Sequence, residues 1–236
     1  MSARAESDMG KVRVGRRAFI GLAALGAAGI ALGADAQRFF GSKLGSLGSL
    51  LPGGDHFRIY TITGTLPYIS RGRYRLKVSG LVDHPATFTL ADLQAMPSYT
   101  MVKDFQCVTG WRVPDVHWKG VQLSQLLANA GVQSTAGAVS FDSYDGADTE
   151  SLTLPQAHLS DVIVAYEMLG GPVTREHGGP VRLVVPQMYG YKSLKWLSGI
   201  RLVENVEPGY WELNGYPVNG WLDGSTGPSD PHPNLT

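Results

Sequence analysis

From Arg73 to Gly80 the chain alternates strictly, with Tyr74, Leu76 and Val78 on one face and Arg73, Arg75 and Lys77 on the other. A period of two predicts a half-buried strand. At Thr89-Leu-Ala-Asp92 the pattern changes to a capping box, which opens a short helix that Pro97 stops. Leu123, Leu126, Leu127 and Ala130 then fall at helical spacing. They predict an amphipathic helix over 122–130, ended by Gly131. Ala138 to Tyr144 reads as a strand running into the turn Asp145-Gly146, and Thr153-Leu-Pro155 starts another short helix. Val162–Tyr166, Val181–Val185 and Ile200–Val203 are rich in β-branched residues and predict three further strands. The pattern carries no internal repeat and no strong linker between 56 and 213. It predicts one α+β domain there, with strand-rich mixed sheets and short helices.

The ends of the chain follow other rules. Lys11, Arg13, Arg16 and Arg17 precede an apolar, Ala/Gly-rich run from Phe19 to about Leu32, and Ala34-Asp35-Ala36 has the A-x-A form of a cleavage site. Residues 1–36 therefore read as a secretory signal, and the Arg16-Arg17 pair before Ala18-Phe19-Ile20 points to the twin-arginine route. The expected location is periplasmic or otherwise extracytoplasmic, with a membrane tether if the signal stays uncleaved. Residues 37–55 form a Gly/Ser/Leu-rich arm, and 214–236 a polar, turn-rich tail.

Composition narrows the partners. The chain has 20 basic and 20 acidic residues, of which five basic and three acidic fall in 1–36. The remainder is slightly acidic and has no basic stripe, so nucleic acid is a poor partner. One cysteine in 236 residues excludes an internal disulfide and a cysteine-cluster zinc site. The six histidines, at 56, 84, 117, 158, 177 and 232, make no H-x-H or H-x-x-x-H pair. No G-x-S-x-G, P-loop or G-x-G-x-x-G motif is present.

Two loop-rich segments remain for chemistry. FQCVTGWRVPDVHWKGVQL (105–123) carries the lone thiol, Cys107, with Trp111 and Arg112 behind it. An unpaired cysteine is either a small core residue or a reactive ligand, and residue type leaves both open. Export of a folded protein, which suits one carrying a cofactor acquired in the cytoplasm, favours the ligand. In REHGGPVRLVVPQMYGYKSLKW (175–196) a tight Gly178-Gly179-Pro180 turn precedes a strand. Such turns bring backbone N–H groups to an anion, and Arg182, Lys192, Lys195 and Ser193 supply cations and a hydroxyl. The alternative is an ordinary solvated surface. Arg182, set among apolar neighbours, is expected either on a solvent face or beside an anion.

Together the segments resemble the molybdopterin-binding domain of the sulfite oxidase family. The resemblance rests on F-x-C-V-x-x-W around Cys107, then W-x-G-V-x-L (Trp118, Gly120, Val121, Leu123), Asp145-Gly146, DVIVAYEM with its Gly-Pro turn, and HGGPVRLVVPQMYGYKSLKW. It implies the sulfite-oxidase-type fold and a molybdenum–molybdopterin cofactor whose metal is bound by the Cys107 thiolate. It places His177 and Arg182 at the pterin, and Ser193, Leu194 (through its backbone) and Lys195 at the terminal phosphate. Tyr60, Thr61 and Asp142 are further pterin contacts. Val108-Thr109-Gly110-Trp111, without an arginine, looks more like the exported protein-methionine-sulfoxide reductases than the sulfite oxidases, while Arg112 keeps an oxyanion-binding role open. The implied activity is oxygen-atom transfer from a sulfoxide or similar S/N-oxide. With no haem or iron–sulfur motif in this sequence, electrons are expected from a partner such as a membrane haem subunit. Trp111, Tyr189 and Tyr191 are candidates to shape the pocket. Competing readings are a sulfite-type oxidase on the same cofactor, a hydrolase using Cys107 as nucleophile with His177, and a non-enzymatic exported binding module.

Overall fold

The computed structural model describes residues 57–222. The signal, the arm and residues 223–236 lie outside the described residues. The alternating stretch is strand β1 (Arg75–Gly80), and Tyr74, Leu76 and Val78 are fully buried while Arg73, Arg75 and Lys77 face solvent. β1 lies in a five-stranded sheet of order β2-β1-β10-β5-β6, made with β2 (Ala86–Thr89), β10 (Leu197–Val203), β5 (Ala138–Ser143) and β6 (Thr149–Thr153). β1 and β10 run parallel, and the other neighbours run antiparallel. A second sheet has the order β3-β4-β7-β8, with β9 also paired to β7. It comprises β3 (Tyr99–Gln106), β4 (Arg112–Gln122), β7 (Ile163–Met168), β8 (Gly171–Pro172) and β9 (Arg182–Val184).

The helices are short and start where their caps stand. In α1 (Leu90–Ala95) Asp92 N–H donates to Thr89 Oγ1 at 3.1 Å, and Thr89 N–H donates to Asp92 Oδ2 at 2.7 Å. α2 (Leu123–Ala130) buries Leu123, Leu126, Leu127 and Ala130, and Gly131 ends it in the left-handed region at φ 67°. α3 (Leu154–Ala157) repeats the capping box with Thr153 and Gln156, and α4 (Tyr210–Leu213) closes the series. This is the α+β architecture expected from the pattern.

β7 shows why the sheets enclose two cores. Val164 and Tyr166 join the main cluster with Leu76, Leu126 and Leu183, whereas Ile163 and Ala165 join a second cluster with Met101 and Trp118. Both faces of the strand are dry, so its sequence reads as a continuous apolar run rather than an alternating one. Gly120 on β4 sits against it, and a Cβ there would come within 2.2 Å of the Val164 carbonyl oxygen. The glycine of the W-x-G-V-x-L motif is thus the point where two backbones touch.

The segment 214–222, read from sequence as tail, packs onto the body. Met188 and Trp221 form a β-bridge, and Tyr189 N–H donates to the Gly220 carbonyl at 2.7 Å. Among the described residues no helix is long and apolar enough to cross a membrane.

Candidate functional site

The β3–β4 hairpin lifts Cys107 out of the sheet. Cys107 N–H donates to the Trp111 carbonyl at 2.9 Å, and Gly110 N–H donates to the Cys107 carbonyl at 3.1 Å. The turn closes through Gly110 at φ 93° and points the thiol into a cavity of about 950 Å³, open solvent at its mouth included. Cys107 Sγ lies 3.2 Å from Thr109 Oγ1. Burial pushes the thiol up from its ordinary value, and the Thr109 hydroxyl and the Arg58 charge act in the opposite direction. The empty site therefore favours the thiol, and a metal would select the thiolate.

The opposite wall comes from the segment after β8. Gly178 takes φ 95°, and a Cβ on it would come within 2.6 Å of Lys195 Cβ. Only glycine fits both constraints. Arg182 starts β9, is 3 % exposed, and faces the cavity. Its Nη1 donates to the His177 carbonyl at 2.8 Å and its Nη2 to the Ser193 carbonyl at 2.7 Å. The guanidinium stacks between Phe105 and Trp118, at 5.4 Å from each ring. Of the two sequence expectations for Arg182, the solvent face does not hold: the group is buried, held by carbonyls and rings, and within electrostatic reach of Asp148. Burial brings its pKa down to about 9, with Asp148 opposing the shift. The guanidinium stays charged at neutral pH, so the cavity receives a fixed positive charge.

Beside it, Ser193 Oγ accepts a hydrogen bond from Val185 N–H at 2.9 Å. Lys195 donates to the Tyr60 carbonyl and lies 4.3 Å over the Trp196 ring. Burial first, and then the Arg182 charge, lower Lys195 to about 7. His177 is lowered from its ordinary value by burial and by Arg182 and Lys195, so the imidazole is kept neutral. An aromatic wall completes the chamber: Trp111 stacks on Phe105 at 5.8 Å, with Phe57 at 6.0 Å and Tyr60 at 6.5 Å from Trp111.

The residues expected from sequence separate into two groups. Cys107, Trp111, Tyr60, Thr61, His177, Arg182, Ser193 and Lys195 line one cavity, although 135 positions separate Tyr60 from Lys195. Three others stand elsewhere. Arg112 is bound to Asp104, with 59 % of its side chain exposed, and is not part of the lining. Asp142 lies in β5 opposite Gly199, with its carboxylate over that glycine, and is not part of the lining. Leu194 puts its side chain in the main core and is not part of the lining; its carbonyl accepts from Leu183 N–H at 2.9 Å, while the group a phosphate would use is its backbone N–H. Lys192, counted among the cations, is 1 % exposed and bound to Glu150 and Glu212, so it does not serve an anion in the cavity. Tyr191 lines the cavity and donates to the Pro217 carbonyl at 2.7 Å, whereas Tyr189 stacks behind it at 6.4 Å.

Sequence reasoning missed Arg58, Asp145, Asp148, Trp211 and Tyr216, all of which line the cavity. Asp145 was legible as a turn residue and as part of the resemblance, but not as a lining residue. Its Oδ1 accepts from Ser143 Oγ at 2.6 Å and from Ala147 N–H at 3.2 Å. Trp211 and Tyr216 come from the segment around α4, and Cys107 is among the groups that raise the Tyr216 phenol. Two buried polar atoms at the cavity lack a hydrogen-bond partner, Trp111 Nε1 and Asp148 Oδ1. Buried orphans of this kind are uncommon, and at a cavity wall they are groups that a bound molecule or water can partner. The site therefore fits a large, polar, anionic ligand that takes a thiolate at one point.

The family model described as "Oxidoreductase molybdopterin binding domain" matches residues 63–211. An uncharacterized oxidoreductase of Bacillus subtilis is 40% identical over 159 residues, covering 67% of this chain and 80% of that protein. The catalytic subunit of a protein-methionine-sulfoxide reductase of Ralstonia nicotianae is 29% identical over 175 residues, covering 68% of this chain and 52% of that protein. In structure the chain is similar to the sulfane dehydrogenase SoxCD of Paracoccus pantotrophus, with a TM-score of 0.57 and 25% identity over 65% of this chain and 46% of that one. This chain thus spans only about half the length of the last two.

Proposed function

This chain belongs to the oxidoreductase molybdopterin-binding domain family, which includes the sulfite oxidases, and we propose that it is an exported enzyme removing oxygen from a sulfoxide or similar S- or N-oxide. The observation that carries the reading is the meeting of Cys107, His177, Arg182, Ser193 and Lys195 in one cavity. A sulfoxide becomes a sulfide and water by taking two electrons and two protons. The bound cofactor, a molybdenum held by molybdopterin, supplies the two-electron oxygen-atom transfer.

The chain's own residues do the rest. Cys107 would be the protein ligand to the metal, giving up its proton on binding it. His177 and Arg182 face the pterin. Ser193 and Lys195 hold the phosphate, with Arg182 adding charge that needs no rearrangement because two carbonyls already fix it. Tyr60 and Thr61 complete the lining beside Lys195. Phe57, Phe105 and Trp111 exclude water, and Trp111 Nε1 offers a donor to an oxygen in the chamber. The cationic donor set and the buried orphans fit the cofactor. Electrons come one at a time from a separate protein, for which a membrane haem subunit is the expected type. The proposed location follows from the signal read in 1–36.

A second reading, sulfite-type oxidation, is favoured by one observation. Arg58 lies at the cavity and its charge acts on Cys107. It could serve the oxyanion-binding role that Arg112, bound to Asp104 outside the lining, does not. Elemental analysis of protein exported by its own signal tests the first reading. About one molybdenum per chain is expected, lost in Cys107→Ala. Absence of molybdenum and of pterin fluorescence after denaturation would overturn it. Turnover of methionine sulfoxide but not sulfite separates the two directions.

A further inference from the structure

The turn between β5 and β6 delivers a carboxyl group that the proposed cofactor contacts leave unused. Asp148 lines the cavity, and its Oδ1 is shielded from solvent with no hydrogen-bond partner. The backbone beneath it is pinned on both sides. Asp148 N–H donates to Ser143 Oγ at 3.0 Å, and Ser143 N–H donates to the Asp148 carbonyl at 3.0 Å. The charged groups acting on it are Lys195 and Arg182 as cations, and Glu212 and Asp145 as acids. Both acids already have partners, since Lys192 holds Glu212 at 2.9 Å and the Ser143 hydroxyl holds Asp145 at 2.6 Å. Glu212 also keeps one unpartnered oxygen, Oε2, but Glu212 does not line the cavity; of the acids that do, Asp148 is the one with a buried oxygen to spare.

The Arg182 guanidinium, the Lys195 amine and the Ser193 hydroxyl of the same lining suit a phosphate, and an ionised carboxylate among them would repel one. A carboxyl that carries a proton donates to a phosphate oxygen instead. We propose that Asp148 is a proton-carrying hydrogen-bond donor to the phosphate end of the ligand, so that filling the cavity takes up a proton from solvent. This rests on the reading of the cavity as a molybdopterin site and adds a residue and a proton to it. Burial already raises Asp148 to about 7, so an incoming dianion has little further to shift it. No electron moves and no covalent bond other than O–H forms.

Infrared spectroscopy of the full chain tests this in two states, loaded with its own cofactor and prepared from a host that does not make the cofactor. At about pH 8, one unit above the value for the empty site, the loaded protein is expected to show a protonated-carboxyl C=O band. The empty protein is expected to lack the aspartate component of this band, and Asp148→Asn to lack that component in both states, whatever buried Glu150 contributes. Carbon-13 labelling of aspartate, which shifts the band in the unaltered protein, gives the same readout if the variant does not fold. A loaded protein with no aspartate-dependent band overturns the role of Asp148 while leaving the cofactor reading intact. A protein that acquires neither molybdenum nor pterin overturns both.

Discussion

Cys107 and Arg182 show how local chemistry is set by burial at this site. The Cys107 thiol is pushed up by burial, so below its folded pKa the empty protein holds it mainly protonated. Alkylation of the cofactor-free protein is therefore expected to be slow at neutral pH and to quicken as pH rises past the ordinary thiol value of about 8.5. Loaded protein should resist alkylation at every pH. Mass spectrometry of iodoacetamide-treated samples reads both, and fast labelling at neutral pH would contradict the buried setting. Arg182 was legible as a residue of interest because a charge sat among apolar neighbours. Its real partners, the His177 and Ser193 carbonyls and the Phe105 and Trp118 rings, were not. Backbone carbonyls are present at every position and carry no sequence mark. Arg58 and Asp148 escaped for a related reason, since a single polar residue in a loop has no periodicity to read.

At the scale of elements, capping and spacing were readable and strand pairing was not. The capping box at Thr89, the helix start at Thr153-Leu-Pro155 and Gly131 at the end of α2 stand where the sequence put them, and the structure adds a second capping box at Thr153. Their physics is local, within four residues of the cap. The long β3–β4 hairpin escaped the pattern because its strands face a second, smaller core and the bulges at Lys103/Phe105 and Lys119/Gly120 break the alternation. Gly120 tests that account. A Cβ there would come within 2.2 Å of Val164 O and 2.7 Å of Ala165 Cα, and both atoms belong to backbone that cannot yield alone. Gly120→Ala is expected to cost about 3 kcal/mol, in the range of severe core overpacking. Chemical denaturation reads it, and a loss within about 0.5 kcal/mol would mean that β4 and β7 are not so close.

Across the whole molecule, a buried ion cluster ties the last described segment to the site. Lys192 binds Glu150, from β6, and Glu212, from α4, at 2.9 Å for the second. α4 and the residues after it bring Trp211 and Tyr216 to the cavity, so this clamp closes one of its walls. Lys192→Met would leave two acids buried without their cation, at an expected cost of about 3–5 kcal/mol. The sign of its pH dependence follows from Glu150, whose pKa is raised chiefly by burial and held down by Lys192. A raised carboxyl stabilises fully below its unfolded value and loses that contribution as pH rises through the folded value. Without Lys192 the folded value rises further, so the deficit should be largest at alkaline pH and shrink as the glutamates take up protons. Thermal melts across the acid and neutral range check it, and a deficit independent of pH would remove charge from the explanation.

The sequence by itself determined the strand-rich α+β character, the helix ends, the family and the identity of the thiol that stands in the site. Each of these depends on short-range pattern or on motifs that survive as strings of residues. Tertiary structure alone decided which charged groups reach the cavity. It sent Arg112 to Asp104, Lys192 to a buried pair of glutamates, Asp142 over Gly199, and brought Arg58 and Asp148 to the chamber instead. The reason is physical: a charged side chain goes where its desolvation is best compensated, and that compensation comes from groups far away in the chain.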